Sequence, residues 1–154
     1  MLRTIGAVVG GYVTIFLVLF ATFSLAFLAM GANGAFRPGT YDVTPLWLIV
    51  SFVLSFTAAV IGGFVSATIS DDPKVPRSLA VVVIVLGVIT AIQIMTADPV
   101  ATTRGADVGN IEAMMNAKQP AWVALLNPII GAIGVMVGAR LKRPQPVGVR
   151  PVLG

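Results

Sequence analysis

Residues Pro45 to Ile69, PLWLIVSFVLSFTAAVIGGFVSATI, carry no charged side chain. A helix needs ~20 apolar residues to cross a bilayer, and this run is long enough. Its small residues are ordered. Ser51, Ser55, Ala59, Gly63 and Ala67 recur at every fourth position, and Ala58, Gly62, Ser66 and Ser70 form an adjoining row. Positions four apart stack on one face of a helix. Two such rows make a broad groove in which neighbouring backbones can approach. Helices associate this way in lipid, where acyl tails are as apolar as Leu and no hydrophobic drive remains. The spacing predicts the central helix of a membrane bundle, with Ser55, Ala59, Gly62, Gly63 and Ala67 among its packing positions.

Three more apolar runs accompany it, uncharged except for Arg140 at the end of the last, so the spacing predicts helices over about 5–30, 45–70, 78–97 and 120–141. Only 10% of the chain is charged and 57% is hydrophobic. A soluble domain carries roughly 25% charged residues, so water is excluded as the solvent for this fold. The Val- and Ile-rich run Ser78 to Ala97 could pass for a buried strand. A lone strand in lipid would leave its backbone unpaired, and helix is the physical choice. The fold class is all-α: a four-helix transmembrane bundle. The first run is longer than the ~7–15 residues of a signal peptide core and reads as a retained helix. Its Gly6 and Gly10 are expected to pack on the second helix. Gly134 and Gly138 give the last run the same close-packing spacing. Residues 1–143 form one domain, and the Pro- and Gly-rich tail 144–154 is expected to be mobile.

Two polar stretches connect these runs outside the membrane. In the first, Phe36, Tyr41 and Trp47 sit where an interfacial aromatic belt would. In the second, Val108, Ile111, Met114 and Met115 fall at helical spacing. A short interfacial amphipathic helix is predicted there, with Asp107 or Asn110 as N-cap. The Met pair reads as lipid-facing filler. The connection from Ser70 to Arg77, with two aspartates and two prolines, is short enough to make the second and third helices antiparallel neighbours.

Arg3, Lys74, Arg77, Arg140, Lys142, Arg143 and Arg150 fall on one side of the membrane, and Arg37, Arg104 and Lys118 on the other. The side with seven should be cytoplasmic, with both termini inside. The basic balance is thus a matter of topology, and nucleic acid is not an expected partner. The second and fourth runs both open on Pro-x-Trp, at Pro45 and Pro120, which suggests two copies of one hairpin in parallel orientation.

Chemistry is scarce. There is no cysteine and no histidine, and no Asp, Glu, Lys or Arg lies inside any run short of Arg140 at the end of the last. Proton relays, pumps and voltage sensors use such residues at membrane depth. Ser–His hydrolysis, paired intramembrane aspartates and thiol redox lack their groups. The expectation is a non-enzyme with no cofactor and no metal. One possible polar site remains: Ser51, Gln93 and Asn127 fall in the outer half of the membrane, and Pro128 denies the Ala124 carbonyl its helical donor. Gln93 and Asn127 could bond to each other. The composition resembles that of small bacterial inner-membrane proteins, and that membrane is the expected location. Two functions follow. The first is an accessory or scaffold subunit, in contact with the lipid bilayer, that self-associates or joins a larger membrane complex through small-residue faces. The second is a small oligomeric transporter or channel for a neutral or lipidic solute.

Overall fold

The computed structural model describes residues 2–96, 103–105 and 108–142. It is all-α. Four long helices, α1 (Leu2–Ala35), α2 (Pro45–Ile69), α3 (Lys74–Thr96) and α5 (Ala121–Leu141), are long and apolar enough to cross a membrane, and α4 (Asn110–Asn116) is a short helix between the last two. The chain is a multi-pass membrane protein. The predicted tail 144–154, together with Asp98, Asp107, Arg143 and Arg150, lies outside the described residues.

Local chemistry sets the helix ends. Gly31 adopts φ 66° and breaks α1 before one further turn to Ala35. A residue without Cβ tolerates that conformation. Pro45 occupies the first turn of α2, where its missing N–H costs nothing. The Thr44 hydroxyl accepts from the Trp47 amide at 3.1 Å and donates to the Gly34 carbonyl at 2.7 Å, tying α1 to α2. The Asp72 carboxylate accepts from the Lys74 amide, so α3 begins four residues earlier than the spacing predicts, with Pro76 in its first turn. At α4 the N-cap is Gly109. Asn110 is the first helical residue, and its amide donates to the Ser24 hydroxyl on α1.

The two small rows of α2 serve two different neighbours. Gly62 and Ser66 face α1, where a Cβ on Gly11 would come within 2.7 Å of Ser66 and 3.0 Å of the Gly62 carbonyl. Ala59 and Gly63 face α5. A Cβ on Gly63 would strike the Val135 backbone, and one on Gly138 would strike the Val60 backbone. These two contacts are reciprocal: 75 positions separate Gly63 from Gly138 and Val60 from Val135. Ala59 meets Gly134, its own counterpart at the same offset. A local two-fold axis therefore runs between α2 and α5. α1 and α3 also meet each other, Gly11 against Leu79.

Three expectations are corrected here. α2 packs on α1 and α5 and touches α3 only lightly, while α3 packs on α5. Small residues, not connector length, decide which helices approach. The centre is shared, and α5 buries 44% of its most apolar window against 22% for α2. On α1, Gly10 meets the Ile69 side chain of α2 as expected and Gly11 and Ile15 also enter the packing, whereas Gly6 faces open space.

Candidate functional site

At one end of the bundle the packing is closed. Ala7, Val75, Leu79 and Val135 are fully buried there or beside it. Arg3 Nε donates to the Ile69 carbonyl at 3.0 Å, and Lys142 Nζ donates to the Ala67 carbonyl at 2.6 Å and pairs with Asp71. Cations thus satisfy carbonyls that the C-terminal turn of α2 leaves without partners, where the helix dipole also favours positive charge. The Lys142 ammonium hydrogen-bonded to Asp71 holds that carboxyl below its usual range. These basic residues do more than anchor topology, and only the fold reveals which carbonyls they reach.

At the other end an aromatic cluster forms the cap. Phe23 and Phe27 of α1 stand edge-on to Trp47, and Phe36 stands edge-on to Tyr41. Phe36, Tyr41 and Trp47 are buried in this cluster with Ala113 of α4, which replaces the expected outward belt. Trp122 keeps the belt position, 55% exposed. The Tyr41 hydroxyl donates to Glu112 at 2.6 Å, and this bond to a carboxylate raises the phenol above its ordinary pKa. Ile111, Met114 and Met115 point outward from α4, as an interfacial helix requires.

Between these ends the four long helices enclose a cavity of about 290 Å³. This is near the lower edge of the ~300–1,000 Å³ usual for small-molecule sites, which in bundles lie between helices. Its walls are mostly apolar: Ile15, Phe16 and Leu19 from α1, Val83 and Leu86 from α3, Ala59 from α2 and Gly131 from α5. It exists because α1 does not reach α5 and α2 barely touches α3. Its side faces the lipid between α1 and α3, where Tyr12, Phe16, Leu86, Thr90 and Ile94 are all exposed.

The polar groups of the lining are Tyr12, Ser55, Thr90, Gln119 and Asn127, with no charged residue among them. Thr90 satisfies itself by donating to the Leu86 carbonyl. Asn127 does not: its Oδ1 is buried without a hydrogen-bond partner. Beside it, Ala124 and Pro128 also line the cavity, and the proline leaves the Ala124 carbonyl without its helical donor.

The structure separates the residues of the predicted polar site. Asn127 is in the cavity. Ser51 is buried outside it, donating to the Trp47 carbonyl at 2.7 Å. Gln93 is exposed on α3, away from the lining, and makes no bond to Asn127 among the described residues. Ser55, expected as a packing position, instead lines the cavity. Ala59, Gly62, Gly63, Gly134 and Gly138 lie at helix contacts, and the Ala67 carbonyl receives Lys142. The part of Thr90, Gly87 and Gln119 in the lining had no signal in the sequence beyond residue size and polarity. No protein family, curated protein or solved structure matches this chain.

Proposed function

We propose that this protein is a non-catalytic membrane protein that takes a small neutral, largely apolar molecule from the bilayer into the cavity between α1 and α3. One observation carries the reading: an uncharged, mainly apolar cavity enclosed by four spanning helices and facing lipid at its side. An ion would find no counter-charge in it. A pore from face to face is disfavoured by the closed end, where Leu79 and Val135 are fully buried. The accessory-subunit reading rested on α2 having more groove than one neighbour needs, and within this chain α1 and α5 fill both rows. Orientation follows the positive residues, with Arg3 and Lys142 cytoplasmic and Asn127 in the outer half.

Native mass spectrometry of the protein extracted gently from its own membrane tests this. A neutral lipid adduct retained at one per chain supports the reading. Ser55→Leu, which fills the cavity from α2, should abolish that adduct with an equal or higher melting temperature. A heterologous protein in fixed ratio with no lipid adduct would replace the reading with the accessory subunit.

A further inference from the structure

Resting on the cavity reading, we infer that the molecule it takes is a neutral single-chain alcohol, held by its hydroxyl at Asn127 with its chain directed along the α1–α3 seam. Buried polar atoms in proteins are almost always hydrogen-bonded, and an exception calls for a reason. Asn127 Oδ1 is such an exception, and its residue lines the cavity, so a turn of the side chain would bring it to a guest. Ala124, a residue of the same wall, also has a carbonyl without its helical donor, because residue 128 is proline. Both atoms are acceptors, so the missing group is a donor. A hydroxyl supplies one. It can also accept from the Asn127 amide nitrogen, so it suits either orientation of the amide.

The rest of the lining excludes other classes. No cation lies there to hold a phosphate or carboxylate, and no anion to hold an amine. Three of the five polar lining groups gather at one end of the cavity, and Tyr12 stands at the other, beside Gly11. Gln119, Asn127 and Thr90 lie toward the capped end of the bundle. Ile15, Phe16, Val83 and Leu86 lie deeper, toward the Gly11–Leu79 contact that closes the seam. An alcohol bound with its oxygen at Asn127 and its chain along these residues has the orientation of a lipid in the outer leaflet. It can therefore enter sideways without turning over.

The test uses the delipidated full chain and three probes: decanol, its methyl ether, and decane, titrated by native mass spectrometry. Decanol should bind about tenfold more tightly than the ether, the worth of one hydrogen bond to a group otherwise left unpaired. Asn127→Leu should bring the two to equal affinity while ether binding persists. If that variant does not assemble, Asn127→Ala gives the same comparison without added volume. Equal affinity of decanol, ether and decane for the unaltered protein would overturn the hydroxyl assignment and leave the cavity reading standing. No saturable binding of any probe would overturn both.

Discussion

The α2–α5 and α1–α3 seams belong to one bundle and are both apolar, yet one is shut and the other is open. Where α2 meets α5, glycine on each helix lies against backbone on the other, at Gly63 with Val135 and Gly138 with Val60. Where α1 faces α3, Gly11 lies against Leu79 near the closed end. Beyond it come Phe16, Leu19, Leu86 and Ile94, whose size keeps the helices apart. In lipid, apolar content does not draw helices together, so small residues determine which seam closes. The larger side chains of the second seam leave room for a guest.

The sharpest way to break this contrast is to give the closed seam a side chain. Gly63→Ala and Gly138→Ala place a methyl into facing backbone, which cannot swing away. Each should cost ~2–3 kcal/mol in equilibrium unfolding from mixed micelles. Because the two contacts are reciprocal, their costs should agree closely. A large inequality would break the two-fold relation. Gly6→Ala, which meets nothing, should be neutral or stabilise by up to ~1 kcal/mol through helix propensity alone. The opposite manoeuvre, filling the open seam with Ser55→Leu, should be tolerated, and a loss as large as at Gly63 would show that the seam has no spare room.

Smaller effects are expected at the ionic clasp of the closed end. The Asp71 carboxyl is held low by Lys142, so its contribution is present above the ordinary carboxylate pKa of ~3.9 and is lost as pH falls through the lower folded value. Asp71 is exposed, and solvent screens the pair. Asp71→Asn should flatten the acid limb of a melting-temperature profile and change little at neutral pH. Lys142→Met should lower the melting temperature more, since it also leaves the Ala67 carbonyl without its donor.

The four spans were legible because a bilayer allows few solutions: long uncharged runs must be helices, and Pro45 marks a start that the structure keeps. The rotational setting of each helix was less legible. Gln93 and Asn127 have the same chemistry and similar depth, yet one faces lipid and the other a cavity. α3 has too few small residues to betray which side packs. Trp47 and Trp122 open their helices identically in sequence. The first is buried because α1 continues past it and lays Phe23 and Phe27 over its ring, and the second is left at the surface. Asn127 was visible as a polar residue before a proline. Its lack of a partner was not, because that depends on where α1 stops short of α5.

Lys142 has a consequence for how the molecule is made. Chains are synthesised from the N-terminus, so α1 and α2 enter the bilayer first, and Arg3 and the Ile69 carbonyl can meet early. The Gly63 face of α2 must wait for α5, and the Ala67 carbonyl for Lys142. During that interval the tightest seam of the finished protein is an uncovered, close-packing surface in a crowded membrane. Its reciprocal spacing is matched by the later helix of the same chain, so the exposure ends when α5 arrives and Lys142 closes over the end of α2.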